Sequence, residues 1–537
     1  MYRYKSFCSL VVVAFLSVQS LNAQQDKLIE KYAAMISAQD ASRHLTILAS
    51  DWMEGRETGE RGQKMAATYL ADQFKNYGLK AVVKEGGEYS YFQKFDLEKR
   101  AWKNVLFSVN DTLKKKFLED FYLYGDFDIP VVEKSEIVFV GYGIDAPNYS
   151  DYKSKKGAFF SDIKGKTVVL FSGEPVKDSI SAITKSKTAS VWANDWRKKA
   201  TTAKELGAKN VIVIVGKADN DFKNRLDQIK THLAQPTLAF THKQRASSAI
   251  FVPVSLAGQI LGMTGDALIK LRDERAALII SGKSPKKSTT ASVLSFKVEV
   301  TKTLVSTENV LGLIEGSDKK DEIVVLTAHY DHIGKEGDKI YFGADDDGSG
   351  TTALLELAEA FGLAAKDGHK PRRSILIMPV TAEEKGLMGS EYYTDKPVFP
   401  LANTVADLNI DMIGRLDEAH KDDPNYVYII GSNRLSTQLH KISEEANKKS
   451  VNIQLDYRFN SFDDPNRFYF RSDHYNFAKN KIPVIFYFNG VHEDYHKPTD
   501  TVDKIDFEKL AKITRLVFYT AWELANREDR ILVDVQE

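Results

Sequence analysis

Cysteine is nearly absent: of 537 residues only Cys8 is one, and it stands inside an N-terminal apolar stretch. A chain whose remaining length has no thiol forms no disulfides, builds no thiolate metal site and offers no cysteine nucleophile. An excess of charge of either sign is missing too, since Lys plus Arg and Asp plus Glu number 74 each. No overall field therefore points to nucleic acid or to an anionic membrane as partner. Long hydrophobic runs are lacking beyond the N-terminus. There, the stretch from Phe7 to Val18, behind Arg3 and Lys5 and ahead of Leu21-Asn22-Ala23, is too short to span a bilayer. It reads as a signal peptide, residues 1–23, cut after Ala23, so the chain is expected to be exported, periplasmic or secreted, with no stable membrane insertion. Any metal must then be held by His, Asp and Glu.

What is present is the composition of a globular protein, 43% hydrophobic and 28% charged, in a chain too long for one ordinary core. From Asp26 to Leu79 the periodicity is helical, with Ala66, Leu70, Phe74 and Tyr77 on one face and Gly78 as the stop. The polar loop Asp51 to Gly59 between helices fits equally a plain connector or the rim of a site. From near Asp126, strand-like runs at Ile137 to Gly143, Lys166 to Phe171 and Val211 to Val215 suggest a β-rich module. Its Gly141-Tyr142-Gly143 lacks the third glycine and the helix of a nucleotide fingerprint. The Ser-Lys-Pro run Ser281 to Thr290 reads as its closing linker. The division expected is thus residues 24–125, the first part of the main domain; 126–285, an insert; and 286–537, the rest of the main domain. Trp192 and Trp196, four apart, are expected to pack on their own module.

After the linker, strands and helices alternate. Apolar runs at Glu322 to Thr327, Ser374 to Val380, Val405 to Ile410, Tyr426 to Ile430 and Pro483 to Phe488 are separated by helical segments. The fold class is α/β: a mixed, largely parallel sheet sandwiched by helices. Ligands of such sheets sit outside the carboxyl ends of the strands. The polar residues fall there: His329-Tyr330-Asp331 after the first run, Asp345-Asp346-Asp347 before the next helix, Glu383-Glu384, Asp411, and Tyr495-His496. Only the end at Ile430 carries none. Five nitrogen and oxygen donors without thiolate suit two divalent ions sharing one carboxylate, Asp346. Adjacent glutamates suit a division of labour, one binding metal and one moving a proton, and hydrolysis follows. Asp331 is expected to orient the His329 ring through its carboxylate. His332 is expected to point away from the site by strand alternation, and His492 to lie on the surface. Asp473 fits equally a role behind the site or a helix cap.

In that order these motifs, His329-Tyr-Asp331, Gly-Ala-Asp-Asp346-Asp-Gly-Ser-Gly, Glu383-Glu384, Asp411 and Tyr495-His496, resemble the M28 family of co-catalytic zinc aminopeptidases, of zinc-exopeptidase or phosphorylase/hydrolase-like fold. The resemblance implies two zinc ions per chain held by His329, Asp346, Glu384, Asp411 and His496. It also implies Glu383 as general base, Tyr495 as the phenol stabilising the oxyanion, and a cis peptide at Asp346-Asp347. Gly141-Tyr142-Gly143-Ile144, Asp162 to Lys166 and Leu206 to Lys209 resemble a protease-associated (PA) domain. The function implied is an aminopeptidase acting on peptide substrates. A carboxypeptidase on the same scaffold would need an arginine for the substrate carboxylate, with Arg415 and Arg471 as candidates. A glutaminyl-cyclase-like transferase and a non-catalytic binding protein are the remaining readings. The sequence leaves side-chain preference and oligomeric state open.

Overall fold

The computed structural model describes residues 27–153, 162–241, 247–281 and 292–536. The signal-peptide reading, Cys8 and most of the Ser-Lys-Pro run lie outside them. The chain divides into two compact units, residues up to Asp96 together with Ser306 onward, and Leu97–Val305.

The first unit is built on an eight-stranded sheet. Its centre is four parallel strands, in spatial order Arg373–Val380, Lys319–His329, Thr404–Ile410 and Val484–Phe488. All but the first four residues of Lys319–His329 are buried, as are the other three strands throughout. Near-continuous apolar runs of this kind belong inside a sheet covered on both faces. Alternation along them divides the side chains between two cores. Val324, Leu326, Ile375, Ile377, Leu408 and Ile485 join one, with the helices Ala38–Leu48, Gly348–Lys366 and Phe507–Asn526. Val325, Leu376, Met378, Val484 and Phe486 join the other, with Tyr393 and Phe477. Each such aliphatic or aromatic side chain removed from water contributes about 1.5–3 kcal/mol.

The strand Tyr426–Ile430 runs antiparallel to Val484–Phe488. Its C-terminal end therefore lies at the opposite edge of the sheet, which is why Ile430 carries no site residue. Upstream, Gly78 ends the helix Arg61–Asn76 with φ +82°, and Leu79 N–H donates back to the Phe74 carbonyl. A side chain at Gly78 would be strained in that conformation.

The second unit holds a nine-stranded sheet whose parallel part is Ile129–Phe139, Thr167–Phe171, Asn210–Ile214 and Ala249–Val252. It also contains Asp219–Ala234 and Gly265–Ile280, helices that a β-rich reading leaves out. The unit is wider than 126–285. Phe92–Val109 enters it ahead of Asp126, and Val293–Val310 lies between that strand and Ile129–Phe139, with which it pairs. The polar run at 281–290 stands out by composition, and the strand pairing from Val293 keeps the chain in the unit. Trp192 and Trp196 pack within it, the latter edge-on to Phe251 at 5.2 Å. Among the described residues no helix is long and apolar enough to cross a membrane.

Candidate active site

Register decides where the functional side chains arrive. His329 ends its strand beside Val380, and Thr327 pairs with Asn409, so the turns after Val380 and Ile410 open at the same edge. Glu383, Glu384 and Asp411 are delivered there. Asp347 ties the third segment in. It caps the helix Gly348–Lys366 by accepting from Gly350 N–H at 2.8 Å, and it accepts from the backbone N–H groups of His329 and Met412, both at 3.1 Å. This fixes Asp346, one residue earlier, over the strand ends; the peptide between the two is cis.

The two oxygens of Asp346 face different neighbours. Oδ1 lies 3.3 Å from His329 Nε2, which is itself 3.7 Å from Asp411 Oδ1 and 3.8 Å from Glu383 Oε2. Oδ2 lies 3.1 Å from His496 Nε2, which is 3.3 Å from Glu384 Oε2. Two groups follow, each with ligand atoms within 4.8 Å of one another: His329, Glu383 and Asp411, and His332, Asp346 and Glu384. One carboxylate shared between two clusters of nitrogen and oxygen donors fits a pair of borderline divalent ions such as zinc. Glu384 Oε1 and Asp346 Oδ2 are buried without an aligned hydrogen bond, a costly state for a carboxylate unless a cation faces it.

Glu383 is half-buried, and desolvation first, then Glu384, Asp473 and Asp411, push its carboxyl above the ordinary range. Tyr495 is pushed up as well, by burial and then by Asp346 and the two glutamates, so its phenol stays protonated and able to donate. Its ring stacks on His496 at 3.8 Å. Met412, Phe468, Phe486, Phe488 and Val491 form an apolar wall beside these groups, with Arg471 at the edge of the same pocket.

All eight sequence-derived site residues converge here, but some make contacts other than those expected. Asp331 does not hold the His329 ring through its carboxylate, which is 3.9 Å away. The ring hydrogen-bonds instead with the Asp331 main-chain carbonyl, Nδ1 to O 3.0 Å. A carbonyl only accepts, so Nδ1 carries the proton and the Nε2 lone pair faces the site. The Asp331 carboxylate accepts from Thr58 Oγ at 2.8 Å and from Glu383 N–H at 3.2 Å, bracing the turn that carries the candidate base. His332 faces the site, because the strand ends at His329 and alternation does not extend past it. His492 is buried rather than superficial, its Nε2 3.3 Å from Asp345 Oδ2. Asp473 makes no capping bond; it accepts from Ser390 Oγ at 2.5 Å, and burial pushes its carboxyl up to about 7. Arg415 is engaged by Glu493 and Asp494 at 3.3 and 3.1 Å.

The loop Asp51 to Gly59 contributes more than its sequence revealed. Arg56 is 1% exposed. Its guanidinium donates to the carbonyls of Leu48, Tyr330, Phe342 and Gly343 at 2.7–2.8 Å, joining an N-terminal helix to the segments beside His329 and Asp346. Only a Gly-Arg pair in a polar loop signalled it.

The sheet thus carries, at its carboxyl edge, paired clusters of imidazole and carboxylate able to hold metal ions. Residues 309–521, which include both clusters, match the sequence model of Peptidase family M28. The chain is similar to a probable glutamate carboxypeptidase, AMP1, of Arabidopsis thaliana, 40% identical over 104 residues, covering 19% of this chain and 14% of that one. It is also similar to a probable zinc metalloprotease of Pyrenophora teres f. teres, 28% identical over 264 residues, 41% of this chain and 52% of that one. The chain thus spans at most about half the length of these two relatives. Its fold is that of the aminopeptidase from Aneurinibacillus sp. strain AM-1, with TM-score 0.54 at 20% identity, covering 95% and 98% of the two chains.

Proposed function

We propose that the protein is an exported exopeptidase that holds two zinc ions and releases N-terminal residues from peptides. The observation that carries this reading is Asp346, with one oxygen turned to each cluster, beside the half-buried Glu383. When bound, the ions would polarise the scissile carbonyl and lower the pKa of a water towards about 7. The chain's own residues supply the rest. Glu383 takes a proton and returns it to the leaving amine, the Tyr495 hydroxyl donates to oxygen charge developing on the substrate, and the wall around Phe486 receives an apolar side chain. The crowd of carboxylates, Asp346, Glu383, Glu384, Asp411 and Asp473, suits a substrate's α-ammonium. Residues 1–23 support export, which N-terminal sequencing of the processed chain tests: a start at Gln24 is expected. On its glycine and Asp-Ile-Lys-Gly motifs, we propose the second unit to be a PA-like module.

One observation favours a second reading. Arg471 lines the pocket, its guanidinium 5.0 Å over the Phe468 ring, where it could receive a substrate carboxylate. Hydrolysis of aminoacyl p-nitroanilides, their N-acetylated twins and N-blocked dipeptides decides between the two. The aminopeptidase reading expects chelator-sensitive turnover of the free-amine anilides alone, with apolar residues ahead. Turnover of the blocked dipeptides through their free carboxylate would instead establish a carboxypeptidase.

A further inference from the structure

His332 is fully buried, yet neither ring nitrogen makes an aligned hydrogen bond. Its Nδ1 lies 2.8 Å from Glu384 Oε1 and 3.8 Å from Asp346 Oδ2, and its ring meets that of His496 edge to face at 6.0 Å. A 2.8 Å approach without alignment is not a hydrogen bond in the ordinary sense. His496 Nε2 approaches the same two carboxylates, Asp346 Oδ2 at 3.1 Å and Glu384 Oε2 at 3.3 Å. Lone pairs that converge on a common point, rather than on one another, are what donors around one cation look like.

The backbone holds this placement. His332 N–H donates to the Arg56 carbonyl at 3.1 Å, and the residue bridges Glu57 in parallel. Gly343 leaves the room the ring occupies: a Cβ there would stand 2.5 Å from His332 Cγ and Cδ2. Among the described residues no hydroxyl, amide or carbonyl is in place to satisfy Nδ1, and an imidazole is seldom buried without such a partner.

We propose that His332 is a metal ligand, its Nδ1 binding the ion held by Glu384, His496 and Asp346. That site then has two imidazoles and two carboxylates, while the His329 site has one imidazole. The inference rests on the metal reading above and not on the choice of substrate.

Competitive titration of zinc against a chromophoric chelator, on wild type, His332→Ala and His332→Gln, reads it. One zinc equivalent should weaken more than about 100-fold in both variants, beyond the 10–100-fold typical of losing a partner that only touches a ligand. The other equivalent should keep its affinity. A smaller loss, or none, overturns the proposal. A crystal structure of the zinc-loaded wild type needs no variant: Nδ1 to zinc at about 2.0–2.1 Å is expected, and a separation beyond about 3 Å overturns it. Neither experiment uses substrate, so a protein that cleaves none of the peptides above still decides the point.

Discussion

Glu383→Gln should keep its fold and its zinc while kcat falls about 10²–10⁴-fold and KM stays near its wild-type value. The range is what a positioned acid–base group contributes, roughly 3–5 kcal/mol of barrier. Glutamine fills the same space and keeps the backbone N–H bond from residue 383 to Asp331 at 3.2 Å. It loses only the ability to take a proton. The metal content gives the experiment its edge, because Glu383 stands with His329 and Asp411 in a group able to hold an ion. If it acts as base, zinc is retained; if it is a ligand, zinc and activity leave together. An unchanged kcat would remove Glu383 from the chemistry altogether.

Arg56→Met should destabilise the protein by about 4 kcal/mol or more. Four carbonyls lose a donor at once, three of them in buried bonds; the Gly343 oxygen keeps Gly348 N–H, and each acceptor left unsatisfied costs about 1–3 kcal/mol, with less than full additivity. Arg56→Lys should recover little, since one ammonium cannot reach acceptors spread around a planar fork. Two of the acceptors belong to Tyr330 and Gly343, next to Asp331 and in the turn before Asp346, so zinc affinity should fall with stability. Chemical denaturation with and without zinc measures both. A loss under about 1 kcal/mol would reduce the Asp51 to Gly59 loop to a connector.

The parallel core and its order of site residues were legible because buried parallel strands are written as continuous apolar runs. Their carboxyl ends could then be read directly. What escaped the sequence were contacts set by loops after the strands end. The alternation argument for His332 is sound along a strand and fails three residues past His329. His492 looks superficial in a polar segment, yet that segment folds back onto Asp345. Arg56 acts through main-chain carbonyls, which leave no trace in the residues that supply them. The second unit shows the converse: Ser281 to Thr290 stands out by composition, but pairing of Val293–Val310 places the boundary at Val305.

The central claim is that Asp346 joins two metal sites in one centre. The most direct measurement is the number of zinc ions bound per chain after exhaustive dialysis, by elemental analysis of the wild type and of Asp346→Ala. The account predicts two in the wild type and weakened binding of both in the variant. One zinc in the wild type, or a variant that keeps two at full affinity, would contradict it.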